Sequence, residues 1–166
     1  MAIPMYGQNK DGEKLSKSSE KPLDIGTDLA DGTAAITLVL GTTYREVVTT
    51  GGTKPLTLPA ISESDLGKQI LIISNAVLAA SGIITIACAS GDTYHLASST
   101  TGLGVTAPGP AADANNLLTI TGANTNCGFQ KGSTLLLEVV ASDEWMCTIN
   151  SVHIGSGSNT FVYTTA

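Results

Sequence analysis

Charge is scarce in this chain: Asp, Glu, Lys and Arg make up 13% of its 166 residues. Aromatic residues are scarcer still, at 4%, and Trp145 with four scattered tyrosines forms no stripe on which a sugar could stack. Residues 22–166 hold four basic side chains against eleven acidic ones, a net −7 that repels a phosphate backbone and argues against nucleic-acid binding. Only residues 1–21, with Lys10, Lys14, Lys17 and Lys21 against three carboxylates, are net positive, at +1. Cysteine is limited to Cys88, Cys127 and Cys147, an odd number without close spacing, which indicates neither a disulfide framework nor a zinc site. Long hydrophobic runs are missing too: nothing approaches the ~18 apolar residues of a membrane-spanning helix. Met1–Met5 has no basic start of the kind that opens a signal peptide, so the sequence predicts a soluble chain made in a cytoplasm.

What remains is β-forming. Hydrophobic residues reach 42%, supplied by Ile, Leu, Val and Ala, and there are 22 threonines, whose branched Cβ suits exposed strand positions. Apolar alternation predicts strands at Ala35–Leu40, Tyr44–Thr49, Leu56–Leu58, Gln69–Ser74, Ile83–Ala89, Leu117–Thr121, Thr134–Val140, Trp145–Asn150 and Thr160–Tyr163. Short strands at this spacing, separated by Gly, Asn, Asp, Ser and Pro, predict an all-β, single-domain β-sandwich or jelly-roll-like body over 34–166. Residues 1–33, rich in Gly, Ser and mixed charge, predict an extended N-terminal arm and linker. Helix is limited to a turn or two at Ala60–Leu66, Ser74–Ala80 or Ala111–Asn116, and 97–115 predicts an elaborated loop.

Ile70–Ile73 and Leu135–Val140 are apolar on both faces, which requires a cover on the outer side. A neighbouring subunit supplies it best, through Leu71, Ile73, Leu136 and Val140. The search for chemistry is mostly negative. Gly102-Leu103-Gly104-Val105-Thr106-Ala107 fits a dinucleotide fingerprint only nominally, with Pro108 and Pro110 after it and no βαβ unit around it. Asp24, Asp28 and Asp31 lack the alternating ligands of a calcium loop. His95 and His153 have no nucleophile and carboxylate at triad spacing, so a hydrolase would need a site assembled only in three dimensions. Cys88 is in phase with Ile84 and Ile86, and Cys147 with Trp145 and Ile149; all read as core, with Trp145 as the anchor. No cofactor, metal or catalytic residue is assigned.

Thr57-Leu58-Pro59, Gly67-Lys68-Gln69-Ile70, Ile84-Thr85-Ile86, Gly91-Asp92 and Trp145, in that order, resemble a β-sandwich module of tailed-phage virion proteins, as in capsid decoration (cement) and fibre proteins. The opening, Ile3-Pro4-Met5-Tyr6 followed by a charged segment, is similar to the openings of marine-phage structural proteins. The resemblance implies a non-enzymatic virion protein on the outer surface of a capsid, partnered by the major capsid protein and by itself as a homotrimer. The alternative it implies is a tail-fibre or head-fibre module that binds host receptors. Ile3, Met5 and Tyr6, with Lys10, Lys14, Lys17 and Lys21, are then the expected capsid-binding arm, since a tethered arm adds to a weak body contact.

Overall fold

Apolar residues that alternate with Thr and Ser produce, among the described residues, twelve strands in two sheets. The computed structural model describes residues 27–29, 34–46, 51–76, 78, 81–102, 109–112, 114–122, 129–152 and 160–166. The first sheet runs β1 (Thr27–Leu29), β3 (Thr43–Glu46), β5 (Gln69–Ser74), β10 (Thr134–Ala141), β11 (Glu144–Ser151). Along the free side of β11 lie β7 (Thr93–Tyr94) and β8 (Ser99–Gly102). The second sheet runs β12 (Thr160–Thr164), β9 (Leu117–Thr121), β6 (Gly82–Ala87), β4 (Gly52–Thr57), β2 (Ile36–Thr37).

From β1 to β6 the chain alternates between the sheets, and each strand lies parallel to the one two places before it: Tyr44 beside Ile72, Leu56 beside Ile86. This is a flattened coil, a winding that strand alternation alone does not reveal. The later strands close it with antiparallel ladders: β10 between β5 and β11, and β9 between β6 and β12. Between the sheets lies one core, built from Ile70, Ile72, Leu135, Leu137, Trp145 and Ile149 on one side and Leu56, Ile84, Ile86, Leu118, Ile120 and Phe161 on the other. The sandwich is therefore all-β, as the composition predicts.

Three strands fall outside those the alternation predicts, because β1, β7 and β8 have only two to four residues and are defined by ladders to β3 and β11 rather than by periodicity. β1 lies in the stretch predicted as linker, yet Leu29 is 1% exposed, so residues 27–29 belong to the sandwich. β8 organises part of the predicted loop. Of the helical candidates, Ala60–Leu66 contains only a 3₁₀ turn, Glu63–Asp65, in which Asp65 Oδ2 accepts hydrogen bonds from the Ser62 amide and hydroxyl at 3.0 and 2.8 Å. Pro55 is tolerated inside β4 by position. Thr57 accepts from Leu38 towards β2, and Leu58 donates to Ala87 towards β6, so the missing N–H of Pro55 faces the open side beyond the two-residue β2.

Candidate interaction surfaces

Strand alternation leaves each sheet with an outer face, and the two faces differ in chemistry. On the first sheet the register places Thr43, Leu71, Leu136 and Thr148 in one row across four strands, with Arg45, Ile73, Thr134 and Asn150 in the next. Leu71, Ile73, Leu136 and Val140 are half-buried on this face, in phase opposite to the enclosed Ile70, Ile72, Leu135 and Val139. Among the described residues nothing covers them. Polar neighbours interleave them: Gln69 Nε2 donates to Glu138 Oε2 at 3.3 Å, and Arg45 lies 2.8 Å from Asp28 in an exposed contact that is electrostatic rather than a well-directed hydrogen bond. At one end, Gly41, Thr42, Thr43, Gly67, Gln69, Leu71 and Leu136 line an open groove of about 320 Å³. Gly41 and Gly67 take φ near +75°, the left-handed conformation that glycine adopts without strain, and this turns the chain at the rim.

The outer face of the second sheet carries no charge at its described strand positions. Thr53 and Thr57 of β4, Thr85 of β6, and Thr119 and Thr121 of β9 stand among Pro55, Ile83, Ala87 and Leu117, with Val162 of β12 beside Thr119. A flat, neutral, β-branched face suits contact with another surface more than the enclosure of a small molecule. The void between the sheets makes the same point: at about 10 Å³ it holds no more than a single water.

At one end of the core two thiols meet two phenols. Tyr94 and Tyr163 pack edge to face with ring centroids 5.2 Å apart, and the Tyr94 hydroxyl donates to the Ile86 carbonyl at 2.9 Å. Burial pushes the Cys88 thiol up to about 12, helped by the charge of Asp92, and burial pushes Cys147 to about 12 as well. Burial also raises both phenols. Cys147 lies against the Tyr163 hydroxyl without a well-directed hydrogen bond. Such thiols stay protonated at neutral pH and are poor nucleophiles and ligands. Asp92, 7% exposed, accepts from the Ile61 amide at 3.3 Å; burial raises its pKa, and Asp143 adds to the rise.

His95 is half-exposed just beyond β7. Its Nδ1 accepts from the Ala97 amide at 3.0 Å, and its Nε2 lies 3.9 Å from Glu144 Oε2. In a nucleophile–base pair the Nδ1 proton is held by a carboxylate and Nε2 faces the nucleophile. Here Nδ1 accepts rather than donates, and a carboxylate occupies the Nε2 side. No group of three His, Cys, Asp or Glu side chains converges as a metal site among the described residues, nor is any helix there long and apolar enough to cross a membrane.

Trp145, fully enclosed, is the core anchor that the sequence predicts, and Cys88 and Cys147 are core residues with it. Leu71, Leu136, Ile73 and Val140 share one face, with Leu71 directly opposite Leu136. Ile3, Met5, Tyr6, Lys10, Lys14, Lys17 and Lys21, like Cys127 and His153, lie outside the described residues. Two inward charges escape the sequence reading. Glu46 accepts from the Ser74 hydroxyl at 2.9 Å, and Lys54 buries its stem while Nζ reaches the Ala34 carbonyl at 3.4 Å; both border the small central void. The available signal was their phase, Glu46 with Tyr44 and Lys54 with Leu56. Against protein-family models, curated proteins and solved structures the chain gives no significant match.

Proposed function

We propose that the chain is a non-enzymatic structural protein of a tailed-phage virion, a decoration (cement) protein that sits on the outside of the capsid and stabilises the shell. The observation that carries this reading is the pair of broad faces. One presents Leu71, Ile73, Leu136 and Val140 half-exposed with no cover among the described residues, and the other is neutral and rich in threonine. Faces of this kind support association with like subunits and with a shell. The order of motifs from Thr57-Leu58-Pro59 to Trp145 supplies the virion context. In this reading the first sheet's face joins subunits into a homotrimer, and the basic segment 1–21 adds a second attachment to the major capsid protein.

The test is co-sedimentation of purified protein with undecorated particles, together with the heat resistance of the resulting shells. Saturable pelleting and higher resistance are expected; no pelleting removes the cement role. A second reading, a tail-fibre or head-fibre module that binds host surface receptors, is favoured by the open polar-rimmed groove between Gly41 and Gly67. Few copies per particle together with binding of the pure protein to host cells would select it over the first.

A further inference from the structure

An edge strand offers a row of unpaired amides and carbonyls to any other strand, and proteins blunt such edges with shortness, charge or proline. Among the described strands, three of the four sheet edges are blunted. β1 is three residues long and its neighbour β3 carries Arg45, paired with Asp28; β7 and β8 are two short pieces; β2 has two residues, beyond which β4 presents Pro55. The fourth edge, β12, is not blunted. Its five residues, Thr160-Phe161-Val162-Tyr163-Thr164, contain no charge, proline or glycine and favour strand throughout.

The ladder fixes which groups are free. Asn116 donates to the Thr164 carbonyl, and Thr164 pairs with Leu117, so Thr160, Val162 and Thr164 spend their backbone groups on β9. The amides and carbonyls of Phe161 and Tyr163 therefore point away from the sheet and meet no partner among the described residues. The spacing of these two residues is self-complementary. If Phe161 of one copy exchanges both hydrogen bonds with Tyr163 of another, a two-fold axis passes between the two Val162 residues, four bonds form, and all five residues overlap.

We infer that β12 docks a second copy of this chain by antiparallel strand addition about a two-fold axis at Val162, which joins two second sheets into one continuous sheet. Charge favours this partner and this place. Each copy carries −6, so copies repel except where the approaching surfaces are neutral, and β12 continues the uncharged outer face of β9 and β6. The axis brings two Val162 side chains, each 38% exposed, directly opposite one another in a non-hydrogen-bonded pair about 4.5 Å apart at Cα. This contact uses the opposite sheet from Leu71 and Leu136 and does not depend on any capsid.

The experiment is sedimentation of the pure full-length protein beside Val162→Lys, Val162→Asp and Val162→Thr, at micromolar concentration. Like charges opposed across the axis break the pair. The lysine and aspartate variants are each expected at half the wild-type mass, the threonine variant at the wild-type mass, and an equal mixture of the lysine and aspartate variants back at the wild-type mass. Restoration by mixing shows that both variants are folded and places residue 162 at the axis. Equal masses for wild type and the folded lysine variant, or a mixture that stays at half mass, overturn the inference. Hydrogen exchange on the wild type gives an independent reading: slow exchange at the Phe161 and Tyr163 amides is expected, and fast exchange at both overturns the pairing even if a variant fails to fold. A chain that pairs through β12 but ignores particles would sink the capsid reading and leave this one standing.

Discussion

Trp145 is fully enclosed, yet its indole Nε1 has no acceptor among the described residues. Trp145→Ala should therefore cost about 3–5 kcal/mol, as a large cavity opens. Trp145→Phe should cost clearly less, because the phenyl ring keeps most of the volume that alanine empties, while both variants relieve the unpartnered donor; urea melts of the two variants check the difference. Asp92 sets a pH dependence. Its folded pKa is raised above the ordinary 3.8 by burial, so the folded state binds the proton more tightly than the unfolded one. Its contribution to stability is fully present below pH 3.8 and is lost as pH rises through the folded value. Asp92→Asn keeps an acceptor for the Ile61 amide without the charge. It is expected to melt above wild type at pH 7, with the gap closing in acid; a constant gap would refute the burial cause. Trp145, Cys88 and Cys147 were legible as core because each falls in phase with aliphatic neighbours. Glu46 and Lys54 hold the same kind of position, but a charge inside a strand suggests the solvent face until the hydroxyl of Ser74 and the carbonyl of Ala34 are seen beside them.

For the strands, legibility follows length and alternation. β5 and β9 have the bounds that the sequence predicts, since Gln69–Ser74 and Leu117–Thr121 run from one turn residue to another with no gap in their pattern. β1, β7 and β8 are too short to show a period, and the parallel winding of β1 to β6 is a matter of connection between sheets, which no local pattern encodes. The double-faced strands were legible as such, and their outer residues give a prediction about association. Leu136 is half-buried on the outer face opposite Leu71. Leu136→Glu should leave the domain folded, at a cost of about 1 kcal/mol, since an enclosed leucine is not being emptied. It should lower the mass seen by light scattering if this face joins subunits. Unchanged mass would remove Leu71, Ile73, Leu136 and Val140 from the interface.

Across the whole chain, the charge division between 1–21 and the acidic remainder predicts separable roles. A chain lacking residues 1–21 is expected to melt as the full chain does, because the core of the described sandwich is built from residues beyond them, but to lose stable attachment to capsids, as two tethered weak contacts exceed either alone. Pelleting of the shortened chain at full strength would take the segment out of the mechanism. The coil also sets an order of events during synthesis. β5 takes β3 as its parallel neighbour as soon as it emerges, but its other side belongs to β10, about sixty residues later. At ~5–20 residues per second that side of Gln69-Ile70-Leu71-Ile72-Ile73-Ser74 stays open for several seconds. It is a run of high β-propensity without charge, the kind that templates cross-β association. The nascent chain is thus most vulnerable to its own copies in that interval, and a fragment ending at Gly132, which never supplies β10, should aggregate where the full chain does not.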